Sequence, residues 1–388
     1  MHALNPNSVS VYVHWPYCLS KCPYCDFNSH VRESVNEEQM ANALLSEIDH
    51  YAELVGKRQV KSIFFGGGTP SLMSAATVDA VINRLSKRFN VDDAIEITLE
   101  ANPTSVEAGK FADFSTAGVN RVSLGIQAIN DPDLKALGRE HSVKEALEAI
   151  GLSQKYFKRS NFDLIYARMG QSVSDWQGEL EQAIEMANGH LSLYQLTIEA
   201  GTPFYGKWRS GDLIIPNEDI SAEMYELTNQ ICENAGYQIY EISNYSITGE
   251  QSKHNLTYWK YEDYIGIGAG AHGRITCGEQ TYATMQNKKP ETWLRAVQMN
   301  GHATKVMEPL DQKMMAEEMI MMGLRLTEGV GYSDFKNRIG SSLEEFIEAS
   351  SLDLLKSQGF VSVSSRDRLQ LTEKGRPLLN QILGRILA

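Results

Sequence analysis

The 388-residue sequence has no apolar run approaching the roughly 20 residues that span a bilayer; its longest runs are strand-sized. No transmembrane segment is expected. Basic charge is also scarce: 36 Lys and Arg stand against 49 Asp and Glu, for a formal net charge of −13. A surface of that sign repels phosphate backbones, so nucleic acid is not an expected partner. Residues 1–18 hold no basic segment followed by an apolar one, so no secretory leader is read there and a cytoplasmic address is expected. Cysteine is sparse, odd in number and unevenly placed: of five, Cys18, Cys22 and Cys25 fall within one short stretch. A secreted disulfide framework is even-numbered and spread out, so the pattern excludes one and directs attention to a metal. Low-complexity tracts and internal repeats are lacking too.

Apolar residues make up 42% of the chain, enough for a substantial core, and the length exceeds one ordinary domain. Short apolar runs at 10–15, 61–65, 94–101, 121–128, 161–167 and 191–198 alternate with amphipathic stretches at 37–55, 77–89, 106–117, 143–156 and 174–187. Repeated strand-then-helix units predict parallel strands joined by right-handed crossovers. The strands read as continuous Val, Ile, Leu and Phe runs, the pattern of a sheet covered on both faces. Eight such units close a barrel, so six predict an open, partial (β/α)6 barrel of the TIM type within an α/β fold; a doubly wound sheet is the alternative. In both, functional groups belong where strands end.

Three regions are expected: a core over 1–240, a connecting segment over 241–310 and a small domain over 311–388. In the last, helical patterns at 314–326, 332–338 and 343–358 precede a hairpin at 360–364 and 368–371, an arrangement similar to a winged helix. The helix expected to face a DNA groove, near 351–357, carries only Asp353 and Lys356, so a protein or ligand cap is read instead.

The sharpest chemical signal is Cys18-Leu-Ser-Lys-Cys22-Pro-Tyr-Cys25 just after the first strand. Thiolates are the usual ligands of iron–sulfur cubanes, and three on one tight loop hold three irons while leaving the fourth open to a small chelating molecule. Structural zinc is the alternative; it wants four ligands, with His14 or His30 as recruits, and usually shows paired C-x2-C knuckles that are missing here. The next strand ends in Gly66-Gly67-Gly68-Thr69-Pro70, where glycines let the backbone approach a ligand closely. Glu100, Gln127 and Asp163 lie at or near the ends of later strands and Arg139 in a loop between them, together a polar rim for one barrel mouth. His254-Asn255-Leu256-Thr257-Tyr258-Trp259 sets a histidine among aromatics, which serves equally as core packing or as a heme contact. Gly268-Ala-Gly-Ala-His-Gly273 matches a dinucleotide fingerprint, but a strand-like stretch follows instead of a helix, so a tight turn against the barrel is expected. Cys232 and Cys277 read as ordinary core or loop residues.

In these motifs the chain resembles the radical S-adenosylmethionine (SAM) superfamily over roughly residues 8–300. The resemblance implies a [4Fe-4S] cluster on Cys18, Cys22 and Cys25, and SAM contacts at Tyr12, Tyr24, Phe27, Gly67, Gly68, Thr69, Glu100, Gln127, Arg139 and Asp163. It narrows to the oxygen-independent coproporphyrinogen III dehydrogenase-like family through residues 66–71, 118–127, 194–199 and 268–273. Phe27 stands where the dehydrogenase has a further cysteine, the segment ahead of Cys18 is shorter, and Ala167-Arg168-Met169-Gly170 replaces the family's usual Gly-Leu-Pro loop. With the 254–259 motif, these features are similar to the family's heme chaperone branch. That branch implies heme as cargo near His254, a hemoprotein acceptor such as a membrane-bound respiratory protein, and transient membrane association. The other member activity is oxidative decarboxylation of a porphyrinogen by a 5′-deoxyadenosyl radical.

Overall fold

The computed structural model describes residues 7–387. Residues 1–6 of the stretch read for a leader lie outside it, as does residue 388. Ser8–Trp15 (β1), Gln59–Gly67 (β2), Asn90–Ala101 (β3), Arg121–Gln127 (β4), Arg159–Tyr166 (β5) and His190–Gln195 (β6) lie side by side in that order, all parallel. Glu37–Val55 (α1), Ala75–Arg88 (α2), Val143–Tyr156 (α3) and Val173–Met186 (α4) return the chain between them. Each starts on a side-chain cap: Asn36, Ser74, Ser142 and Ser172 accept from backbone N–H groups of the first turn. The expected helix over 106–117 is two short ones, Ser105–Ala108 and Phe111–Thr116, interrupted at Gly109, which weakens a helix interior.

The strands alternate more strictly than their composition implies. Val9, Val11 and Val13, then Ile97 and Leu99, Val122 and Leu124, and Leu191 and Leu193 are buried in the main apolar cluster with the surrounding helices. Their neighbours Ser10, Ser62, Thr98, Arg121, Ser123, Asn161 and Ser192 are buried polar residues. The inner face bonds to itself, for example Ser62 Oγ to Ser10 Oγ at 2.9 Å and Asn161 Nδ2 to Ser123 Oγ at 2.9 Å. A barrel interior filled by branched aliphatics is the usual case. Here its polar lining corrects the expectation of strands apolar on both faces.

The chain then leaves the barrel through Glu218–Asn234 (α5) and an antiparallel edge, Gln238–Glu241 (β7) and Asn244–Ser246 (β8), the latter paired with β6. Lys253–Trp259 (α6) packs on β2. Tyr264–Ile267 (β9) returns to the opposite edge and pairs parallel with β1. His272–Cys277 (β10), Gln280–Gln286 (β11) and Thr304–Pro309 (β12) continue that edge as an antiparallel meander, with Pro290–Asn300 (α7) between the last two. Residues 241–310 thus extend the main sheet at both edges.

A second buried cluster runs from Ala316 through Ile386 and takes in Tyr261 from the segment before it. It joins Gln312–Gly323 (α8), Tyr332–Ile339 (α9), Ala349–Ser357 (α10), Val361–Val363 (β13), Arg368–Leu371 (β14) and Leu379–Ile386 (α11), with β13 and β14 antiparallel. The helical stretch read over 343–358 divides: Leu343–Phe346 is a 3-10 turn, and Glu348 caps α10 by accepting from the N–H groups of Ser350 and Ser351. No helix among the described residues is long and apolar enough to cross a membrane.

Candidate functional site

A cavity of about 420 Å³ opens at the carboxyl ends of the parallel strands. Its lining brings together Cys18, Cys22, Cys25, Tyr24, Phe27, Gly67, Gly68, Thr69, Glu100, Gln127, Arg139 and Asp163, residues scattered over 146 positions of sequence. This is the position at which parallel α/β folds collect their functional groups.

The cysteine loop is held from below. Gly68 N donates to Trp15 O at 2.7 Å and Thr69 N to Tyr17 O at 2.8 Å, tying the glycine turn to the root of the loop. At the far end, Asn28 Nδ2 donates to Ala269 O at 2.9 Å and to Lys288 O at 3.0 Å, while Asn28 O and His14 Nε2 lie 2.9 Å apart. The 268–273 motif is the underside of this clamp. Gly270 has φ +83°, and a Cβ there would stand 2.1 Å from Asn28 Nδ2. Buried Glu47 accepts from Gly268 N at 2.8 Å and from Ala303 N at 3.0 Å, and burial pushes its carboxyl up to about 7. The decoy fingerprint therefore folds as a tight turn that buttresses the cysteine loop.

The thiols are half-buried and reduced. Burial pushes Cys18 and Cys25 above the ordinary thiol value, so a Lewis acid is needed to hold them as thiolates near neutrality. Two donors face the sulfurs: Thr69 Oγ1 lies 3.4 Å from Cys18 Sγ, and Arg139 Nη1 lies 3.3 Å from Cys22 Sγ. Arg139 Nη2 also donates to Asn102 Oδ1 at 2.6 Å and Gly125 O at 2.8 Å, which locks the guanidinium beside the loop. Its Nε is buried without a partner. Donors to ligand sulfur and a fixed cation nearby suit an iron–sulfur cluster, whose electronics are tuned by such contacts. Zinc draws no support from His14, because its other ring nitrogen is 2.9 Å from the Tyr12 hydroxyl. Among the described residues no three His, Cys, Asp or Glu side chains converge on a single ion.

Gly68 is fixed by close approach: a Cβ there would lie 2.6 Å from Tyr17 O and 3.0 Å from Cys18 Sγ. Gly68→Ala is expected to cost about 1–3 kcal/mol and to lower bound iron, read from the denaturation midpoint and iron per chain. Unchanged values in both would contradict this packing.

Across the cavity, Glu100 accepts from Gly67 N at 3.2 Å. Burial first, then repulsion from Asp163, pushes its carboxyl up to about 8; burial pushes Asp163 up to about 6 against the pull of Ser192 and Arg121. Asp163 accepts from Asn161 Nδ2 at 3.1 Å, and the Asn161 oxygen is buried without a partner. Gln127 ends β4 at φ +75°, a left-handed conformation that costs a non-glycine residue energy and recurs at ligand sites. These acceptors fit the hydroxyls of a ribose and the cationic end of a small zwitterion.

Two expected site residues stand elsewhere. Tyr12 lies beneath the floor, stacked on Phe64 with ring centroids 6.2 Å apart. His254 is buried on α6: Nδ1 is 2.8 Å from Ser62 Oγ, Nε2 is 2.8 Å from the Tyr258 hydroxyl, and its N–H donates to Glu96 Oε1. Burial, then Arg121, pushes its imidazole down to about 3. Both ring nitrogens are occupied and neither faces the cavity. Conversely, Asn102, one residue past the end of β3, lines the cavity without having been singled out, while Ser123, Tyr194, Thr197 and Glu199 line it from within the 118–127 and 194–199 motifs.

A family model of the radical SAM superfamily matches residues 12–183, and one of the HemN C-terminal domain matches residues 310–378. A protein named heme chaperone HemW from Escherichia coli is 38% identical over 98% of both chains. A mitochondrial radical S-adenosyl methionine domain-containing protein 1 from Danio rerio is 37% identical over 97% of this chain and 86% of its own. Among solved structures, coproporphyrinogen III oxidase (HemN) from Escherichia coli, described as a radical SAM enzyme, superposes with a TM-score of 0.81 over 98% of this chain and 91% of that one. At 22% identity that likeness establishes the fold, an open radical SAM barrel followed by a C-terminal domain.

Proposed function

Because the chain belongs to the radical SAM superfamily, in the heme chaperone branch of the coproporphyrinogen III dehydrogenase-like family, we propose that it binds a [4Fe-4S] cluster, SAM and heme, and passes heme to a hemoprotein. Cys18, Cys22 and Cys25 hold the cluster, with Thr69 and Arg139 bonded to two of the sulfurs. The observation that carries this reading is the meeting of three thiols, a glycine turn and two half-buried carboxylates in one cavity. When bound, the cluster supplies an open iron that chelates SAM and an electron source beside it.

The chain's own residues do the rest. Gly67 and Gly68 bring backbone to the ligand, Glu100 and Asp163 accept from hydroxyls, Gln127 and Tyr24 border the space, and Phe27 covers its mouth. Glu100 and Asp163 are half-buried in the cavity wall, where reduced contact with water strengthens the bonds they accept. The heme part rests on relatives that carry the name heme chaperone and on Phe27 in place of a further cysteine. The same branch implies an acceptor such as a membrane-bound respiratory hemoprotein, contacted transiently at delivery.

Anaerobic reconstitution followed by parallel titration with hemin and incubation with coproporphyrinogen III tests the reading. Stoichiometric heme binding without decarboxylation is expected. Sustained protoporphyrinogen formation would make the chain a dehydrogenase instead.

A further inference from the structure

Granting the heme-binding reading above, the occupied nitrogens of His254 leave open which residue meets the iron. An axial ligand needs an accessible, neutral imidazole with a free lone pair. Among the described histidines, His14, His141, His190 and His254 are buried, each with a ring nitrogen in a hydrogen bond. His50 and His302 stack face to face with centroids 3.9 Å apart, and His302 Nδ1 accepts from Thr304 N. The Nε2 of His30 is enclosed. His272 is exposed, at the start of β10, and no described residue hydrogen-bonds its ring.

Its surroundings have the chemistry of a flat, apolar dianion's binding site. The turn that carries His272 is clamped to the cysteine loop through Asn28, so the histidine stands beside the cavity rim. His14, which touches Asn28, is pushed below the ordinary imidazole value by burial first, with His30 and His272 close enough to add to the effect. Leu19 and Phe27 of the cavity lining and Val31, paired with Cys18 at the root of the loop, are 58%, 62% and 45% exposed, apolar surface offered from one short stretch of chain. Lys288, whose carbonyl accepts from Asn28, is exposed, and burial first, then Arg274 and Lys288, pushes the His272 imidazole below its ordinary value. Lys21, exposed, donates to Phe27 O at 3.2 Å. Asp26 stands next to Phe27 and Glu291 is paired with Arg32, but Lys288 and Lys21 form no ion pair among the described residues, and heme carries two propionates.

The geometry points to a heme site on the rim of the cavity: His272 binds the iron, Leu19, Phe27 and Val31 lie against the macrocycle, and Lys288 and Lys21 meet the propionates. The site lies over the cysteine loop, and the helix bearing His254 is a structural element of the barrel interior.

The test uses the reconstituted full chain titrated with hemin, followed by the Soret band and the low-spin EPR signal. His272→Ala is expected to bind hemin at least about tenfold more weakly and to lose the histidine-ligated spectrum. It is also expected to bind iron-free protoporphyrin IX as wild type does, because only the iron bond has gone. His254→Gln is expected to retain the spectrum. Loss of the spectrum in His254→Gln with retention in His272→Ala, or retention in both, would overturn the assignment while leaving heme binding intact. Failure of the wild-type chain to bind hemin would overturn the chaperone reading itself.

Discussion

Cys22→Ala is expected to leave the chain folded and nearly free of iron and inorganic sulfide after anaerobic reconstitution, with iron at roughly a tenth of wild type or less. Cys22 sits half-buried at the cavity mouth, so its loss opens no core. It does remove one of only three sulfurs on the loop and leaves two cubane corners without protein ligands. The Arg139 Nη1 then faces the vacated position without its acceptor, while the anchors of that guanidinium at Asn102 and Gly125 persist. Cys232→Ala is the matched control. That thiol is buried within α5, where burial pushes it up to about 12, and its removal should cost stability without touching iron content. Equal iron in the two variants would contradict the assignment of the loop.

Glu100→Gln is expected to stabilise the ligand-free chain above neutral pH and to weaken SAM binding. The Glu100 and Asp163 carboxyls stand at about 8 and about 6, against ordinary values of 4.5 and 3.8. Between the ordinary and raised values the unfolded chain binds fewer protons than the folded one, so stability falls as pH rises. The decline therefore begins near pH 4 and runs to about pH 8, the reverse of the behaviour of a carboxylate stabilised by an ion pair. Glu100 is partly open to the cavity, which tempers the penalty; a gain of roughly 1–3 kcal/mol at pH 8 is expected from the amide, measured by denaturant unfolding. Ligand binding runs the other way. An ionised carboxylate is the stronger acceptor for a ribose hydroxyl, so wild-type affinity for SAM should rise between pH 6.5 and pH 9 by about tenfold. The glutamine variant should show a flatter profile. A stability loss at pH 8 in that variant would show that Glu100 is held ionised by its surroundings.

The parallel core was legible because each strand carries an apolar outer face and each helix a capped start. The same strands hid their inner face. In Ser10–Trp15 the pattern reads as an apolar run with polar interruptions, yet Ser10, Tyr12 and His14 occupy every second place, and Glu96, Thr98 and Glu100 repeat the spacing on β3. That alternation signals a polar barrel interior. Val, Ile and Leu dominate the composition of these runs and mask it. The helix over 106–117 failed at Gly109, and the one over 343–358 failed where Glu348 begins a new helix by capping it. The segment 241–310 looked like a connection because its strands are short, and pairing between Tyr264 and Ser10 joins residues too far apart for local pattern to reveal.

The site was legible where chemistry is concentrated in sequence. Three cysteines within one turn, and glycines directly after a strand, locate the cavity without coordinates. Arg139 was placed on the rim by its loop position, but its contact with Cys22 spans 117 positions and carries no local mark. Asn102 carries no such mark, being a common residue type near a strand end. Tyr12 and His254 show the opposite failure. Their residue types suit a ligand, but the even places of β1 below the cavity point into a hydrogen-bonded floor, and His254 spends both nitrogens there.

The most direct test of the account is the EPR spectrum of the anaerobically reconstituted, reduced chain recorded with and without SAM, alongside metal and sulfide analysis of the same sample. Four irons and four sulfides per chain are predicted, with a g-tensor that shifts when SAM is added, because one iron lacks a protein ligand. Stoichiometric zinc without sulfide, or a cluster signal indifferent to SAM, would contradict it.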